Sequence, residues 1–229
     1  MTKVNHPLRV GLFGIGLDTY WPQFAGLKTR LERYLGVVAE RLQRPGVEVV
    51  SLGLIDSPPK ALEAGHQFRA ADVDLIFLHV TTYALSSTVL PVVQRARVPV
   101  IVLNLQPAAA IDYANFNQMG DRTAMTGEWL AYCAACPVPE IANVFNRAGV
   151  DFHQITGMLH DDQAYRKIHD LLAKTDGMIA ELDSGKGTAG QLLQDRRLYD
   201  SLNKTLQSIS ALMADVRTNP QKYLRLKAR

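Results

Sequence analysis

Chemistry on a substrate needs acids, histidines or thiols that converge, and this sequence has few of them where they would count. Two cysteines, Cys133 and Cys136, among 229 residues are too few for a disulfide framework. Their spacing is that of a redox pair, but the pattern puts them at the end of a helix, just before Pro137. A reactive pair uses a helix N-terminus, whose dipole stabilises the thiolate. A zinc site would need a second ligand pair, and none exists in the sequence. Both are therefore expected as buried or incidental thiols. The six histidines, His6, His66, His79, His153, His160 and His169, show neither H-x-x-x-H nor H-E-x-x-H spacing. Only Asp18, Asp112 and Asp121 fall in loops at strand ends, so neither an acid pair nor a Ser–His–Asp set can be assembled. No catalytic residue and no metal ligand is assigned. Long apolar runs are also missing. The first, Val10 to Leu17, ends at Asp18, has no small-residue cleavage site, and falls short of the roughly 18 residues a membrane helix needs. A cytoplasmic protein is the expectation.

What is present is a strong alternation of buried strands and helices. Leu8–Ile15 is a continuous apolar run, as a parallel strand covered on both faces requires. Pro22 suits a first helical position, and Phe24, Leu27, Leu31, Leu35, Val38 and Leu42 follow at helical spacing until Pro45-Gly46. Val47–Leu52, Val73–Val80 and Val98–Leu103 read as further strands. Helices are expected from Ser57-Pro58-Pro59 to Ala71, over Ser86–Ala96, and from about Thr123 to Ala135. Glu140–Phe145 reads as a fifth strand and Phe152–Thr156 as a short sixth. The fold class is therefore α/β, a doubly wound parallel sheet of Rossmann or flavodoxin-like type over residues 1–160. An all-helical tail, 161–229, follows.

The tail is expected as a helix over Tyr165–Leu182 interrupted at Gly177, a Gly/Ser/Thr turn at Asp183–Gly190, and a final helix capped by Asp195. Along that last helix Leu198, Leu202, Leu206, Ile209, Leu212 or Met213, and Val216 share one face. The net charge of +3 is unevenly spread. Residues 172–229 hold ten basic and six acidic side chains, leaving the rest of the chain near −1. That distribution does not suit a nucleic-acid enzyme, and the basic end Lys222–Arg229 reads as a solvated terminus before it reads as a membrane contact.

In a doubly wound sheet, ligands meet the loops at the carboxyl ends of the strands. Gly11-Leu12-Phe13-Gly14-Ile15-Gly16 invites a nucleotide reading, but its glycine spacing reverses the G-x-G-x-x-G order, and bulky residues follow it. Tight strand packing is the preferred account. His79, beside Thr81 and Thr82, reads as a histidine at the core edge, with a ligand-facing role as the alternative. Asn104–Arg122 gathers amides (Asn104, Gln106, Asn115, Asn117, Gln118) around Tyr113 and Phe116. Amides donate and accept hydrogen bonds while rings cover C–H faces, which suits neutral polyols. Packing against a neighbouring subunit would explain the same residues.

Two family resemblances follow from these residues. Residues 14–24 and 81–91, with Val98–Asn104, Asn117-Gln118 and Pro139–Ala142, resemble the N-terminal domain of the L-arabinose/L-fucose isomerase family. That likeness implies aldose–ketose chemistry with manganese held in later domains, so this chain is expected to bind no cofactor of its own. It also implies a weak sugar-contact surface at Leu17, Asp18, Thr19, Tyr20, Trp21 and Gln118, together with homo-oligomerisation. Gly185–Leu193, Asp195, Leu198-Tyr199, Leu202-Asn203 and Asn219–Tyr223 resemble the tail of MCE-type lipid-transport proteins. The primary expectation is thus a truncated isomerase-family domain without its catalytic centre. The alternative is a helical interaction or assembly module related to MCE-type proteins.

Overall fold

The computed structural model describes residues 7–184. Five parallel strands, β1 (Leu8–Ile15), β2 (Val47–Ile55), β3 (Leu75–His79), β4 (Val100–Gln106) and β5 (Phe152–Met158), form one sheet in the order β2-β1-β3-β4-β5. This is the doubly wound α/β architecture. The three inner strands are apolar because helices cover both of their faces, and β3 is buried at every position. β1 shows the division residue by residue. Gly11 faces Phe68 on one side of the sheet, and Gly14 faces Leu35 on the other.

The helices are α1 (Leu27–Leu42), α2 (Pro58–Ala70), α3 (Leu90–Ala96), α4 (Tyr113–Gln118), α5 (Arg122–Tyr132), α6 (Val138–Ala148) and α7 (Asp162–Ser184). In α1 the buried residues Leu27, Leu31, Leu35, Val38 and Leu42 recur every three or four positions, so one stripe meets the sheet. On the opposite face, Phe68 of α2, Val92 of α3, and Ile141 and Phe145 of α6 close over Phe13, Ile15, Ile76 and Leu78. Burial of this kind contributes roughly 1.5–3 kcal/mol for each large side chain.

Several sequence expectations are corrected. Glu140–Phe145 is helical, within α6. Its buried residues Val138, Ile141 and Phe145 lie three and four apart, Pro137 and Pro139 suit its first turn, and Gly149 ends it at φ 66°. The segment expected as a sixth strand, Phe152–Thr156, is consequently the fifth, β5. The helix foreseen after Pro22 begins only at Leu27, following a 3-10 turn at Asp18–Tyr20 and Gly26 at φ 79°. Ser86–Thr88 is likewise a 3-10 turn preceding α3. α7 runs through Gly177 without interruption, since one glycine costs a helix only about 1 kcal/mol.

Cys133 and Cys136 are not free thiols. They form a disulfide, with Cα atoms 5.4 Å apart. Cys133 ends α5 and Pro137 opens α6, and the turn between the helices folds the two side chains together.

The chain divides into two compact units, Met1–Leu172 and Ala173–Arg229, whereas the sequence placed its boundary after residue 160. Ala164, Tyr165, Ile168 and Leu172 are the buried residues of α7, all within the first unit. The expected turn at 183–190 lies almost wholly outside the described residues, and the final helix lies entirely outside them. Among the described residues, no helix is long and apolar enough to cross a membrane.

Candidate functional site

In the strand order β2-β1-β3-β4-β5, successive connections from β1 and β3 leave in opposite directions. The crevice outside their carboxyl ends is where such sheets receive ligands. The segments after β1 and β3, Gly16–Trp21 and Val80–Leu85, flank it, and Asp56 follows β2 directly.

The crevice is filled by the chain's own side chains. The hydroxyl of Thr81 accepts a hydrogen bond from the Ile15 amide at 3.1 Å and donates one to the Ile15 carbonyl, stitching the β3 loop to β1. Thr82 donates to the Leu130 carbonyl at 2.7 Å, tying the same loop to α5. The Trp21 indole lies over Gly16, where an added Cβ would stand 2.6 Å from the ring. Glycine at this position is required by that approach.

Asp56 is the charged centre of this end of the sheet, with only 2% of its surface exposed. Its Oδ2 accepts from the Trp21 indole N–H at 2.8 Å and from the Lys60 ammonium at 2.8 Å. The same ammonium stands 2.7 Å from Oδ1 as an ion pair without an aligned hydrogen bond. Burial disfavours the charge, but the bonds from Lys60 and Trp21 outweigh it and hold the carboxyl below the usual aspartate value. The pairing occupies Asp56, so it is a clamp on the Trp21 turn and not a free base. Replacing Asp56 with Ala should cost about 2 kcal/mol, most of it from the indole N–H left without its acceptor. Lys60 is more than half exposed, so its share is small. Asp56→Asn, which keeps an acceptor for Trp21, should lose about half as much in urea unfolding.

His79 ends β3 fully buried, and its Nδ1 has no hydrogen-bond partner among the described residues. Burial pushes its pKa down to about 3, against the smaller opposing effect of a backbone hydrogen bond at Leu105. It is a neutral core residue. Asn104, nearly buried on β4, donates to Thr156 at 3.5 Å and accepts from Gln106 at 2.9 Å.

Five of the six sugar-contact candidates, Leu17 to Trp21, share the turn after β1, and the sixth, Gln118, stands at the end of α4. Leu17 packs against the core, Asp18 and Thr19 are exposed, and Tyr20 stacks edge-on to both Trp21 and Phe24. Burial raises the Tyr20 pKa, with the neighbouring Tyr83 adding to the effect. Gln118 ends α4 with its side chain exposed and shares no hydrogen bond with the turn at 17–21. Just beyond both segments in sequence, a groove of about 420 Å³ is walled by Phe24, Gly26, Met119, Gly127 and the Arg30–Glu128 ion pair, with none of the six candidates in its lining. Arg30 is further fixed by the Tyr34 hydroxyl at 2.7 Å and by the Tyr132 ring, so this wall is rigid but electrically satisfied. Sequence inspection missed Asp56. The signal was an acid closing a strand, followed by Ser57-Pro58-Pro59 and by Lys60 at the i+4 position of a helix start.

Among the described residues, no group of three or more His, Cys, Asp or Glu side chains could hold a metal ion.

A family profile described as a probable MCE-like lipid transporter, helical needle domain, matches residues 97–222, more than half of the chain. The match takes in β4, α4–α6, β5 and α7 as well as the C-terminal sequence that resembled MCE-type tails. The likeness to sugar isomerases has no counterpart in it. No curated protein matches the chain. Among solved structures, a proposed acylhydrolase of Bacteroides fragilis superposes with a TM-score of 0.39 and 11% identity, covering 75% of this chain and 88% of that one. Nothing about the chemistry of this chain is taken from it.

Proposed function

Because the chain belongs to the family of MCE-like lipid transporters with a helical needle domain, we propose that it is an assembly component of such a system, working through its C-terminal helical sequence. The family match over residues 97–222 carries this reading. Two features of the chain support it. Beyond Leu172 the described residues of α7 are mostly exposed, and Met178, 66% exposed, puts one large apolar side chain in solvent. In the sequence beyond Ser184, Leu198, Leu202, Leu206, Ile209 and Val216 keep helical spacing. A helix of about 20 residues is marginal alone and gains stability by burying such a stripe. The role we assign it is self-association, giving a homo-oligomer held by paired or bundled helices.

Sedimentation of the full chain tests this. An oligomer is expected, and the double substitution Leu202→Glu and Leu206→Glu should return it to the 25.3 kDa monomer while leaving urea unfolding of the α/β unit unchanged. A wild-type chain that sediments as a monomer at every concentration reached would overturn the proposal.

A further inference from the structure

α2 and α3 lie side by side at unusually short range. A Cβ added to Gly65 of α2 would stand 2.6 Å from the Arg95 Cβ and about 3 Å from the backbone oxygens of Val92 and Pro91. Beside this contact lies a groove of about 510 Å³, lined from α2 by Leu62, His66 and Arg69 and from the α3 side by Pro91, Gln94, Arg95 and Arg97. That volume lies in the range of small-molecule sites. The lining contains three guanidinium groups and no carboxylate. Arg95 is steered by His66, whose Nε2 stands 3.3 Å from its Nη1. Among the described residues, Arg69 and Arg97 have no acidic partner.

Each arginine alone has an ordinary explanation, since a cation near a helix C-terminus is favoured by the helix dipole. That account does not explain why three converge on one groove. Arg97 closes α3 at φ 59° and ψ 41°. This left-handed cap is natural for glycine and costs other residues roughly 1–2 kcal/mol. Arg97 thus adds a positive charge to the groove lining at a position whose backbone favours glycine. Leu62 and Pro91 make the opposite end apolar.

We propose that the α2–α3 groove is a binding site for a phosphate group carried on a partly apolar molecule. Arg69, Arg95 and Arg97 would take the phosphate oxygens, and Leu62 and Pro91 the adjoining carbon chain. Guanidinium groups suit phosphate because they offer paired N–H donors in a plane. The site stands independently of the assembly reading, since it uses only the α/β unit. The phosphate could belong to a small soluble ester or to a lipid headgroup, and the two sources separate experimentally.

The test uses the full chain and two probes. Glycerol 3-phosphate is titrated calorimetrically, and flotation is measured with phosphatidylcholine vesicles with and without phosphatidic acid. Binding should weaken with added salt and fall at least about tenfold in Arg69→Gln/Arg97→Gln, from the loss of two charge-assisted contacts. Binding of the soluble ester identifies a free phosphate ligand. Flotation only with phosphatidic acid identifies a headgroup, and either result supports the site. Arg166→Gln/Lys167→Gln on α7 removes the same charge elsewhere and should leave binding intact. The proposal fails if neither probe binds at millimolar phosphate, or if the α7 pair weakens binding as much as the groove pair.

Discussion

Between pH 6.5 and about 4.5, the folded protein should lose about 2 kcal/mol of stability through His79 alone. The ring is enclosed at the end of β3 with Nδ1 unpartnered, so a proton taken up there would strand a charge in the core. Burial outweighs the backbone hydrogen bond at Leu105, and the pKa falls from 6.5 in the open chain to about 3 in the fold. As the pH drops below 6.5 the unfolded chain binds the proton while the folded chain stays neutral. Protons then favour unfolding at about 1.4 kcal/mol for each pH unit. The stability is complete above 6.5 and is consumed on the way down to about 3. Asp56 acts in the same direction but later. Its depressed carboxyl contributes stability above the ordinary aspartate value and loses it only as the pH falls through the lower folded value. The two windows are therefore separable. Urea midpoints for wild type and His79→Gln, which keeps a donor for Leu105, should differ at about pH 7.5 and converge at about pH 4.5. Parallel curves would mean that His79 is charged in the fold or reached by water.

The sheet was legible because its inner strands are buried on both faces. Leu8–Ile15, Leu75–His79 and Val100–Gln106 stand out as apolar runs that few other contexts tolerate. The edge was harder to read. β5 exposes His153 and Gln154 and carries no such run, whereas the Ile and Val content of α6 imitates a strand until the spacing of Val138, Ile141 and Phe145 is counted. The disulfide was hidden for another reason. Two cysteines three apart meet only if the chain turns sharply between them, and that turn depends on where α5 stops. The resemblance to sugar isomerases rested on residues 14–24 and 81–91. In the structure those residues close the crevice: Trp21 covers Gly16, Thr81 bonds to Ile15, and Thr82 bonds to Leu130. These residues pack the end of β1 as well as lining its crevice. The arginine groove was invisible in the sequence because Arg69 and Arg97 converge only when α2 crosses to lie beside α3.

Gly65→Val should destabilise the α/β unit by about 3 kcal/mol, at the upper end of what overpacking usually costs. The contact it would invade cannot yield at a flexible side-chain tip. Two of the three nearest atoms are the backbone oxygens of Val92 and Pro91, and the third is the Cβ of Arg95. Relief requires α2 and α3 to separate, which opens the layer where Phe68, Val92 and Val93 are buried. Gly65→Ala meets the same three atoms but gains about 1 kcal/mol of helix propensity, so its net loss should be nearer 1 kcal/mol. Gly36 in α1 supplies the contrast, because an added Cβ there meets nothing within 4 Å. Gly36→Ala should therefore stabilise, by roughly 0.5–1 kcal/mol, through propensity alone. The same chemical change thus carries opposite signs at two helical glycines, and thermal or urea unfolding of both variants reads the difference directly. If Gly65→Ala stabilised as Gly36→Ala does, the two helices would not be in backbone contact, and the groove drawn between them would lose its geometry.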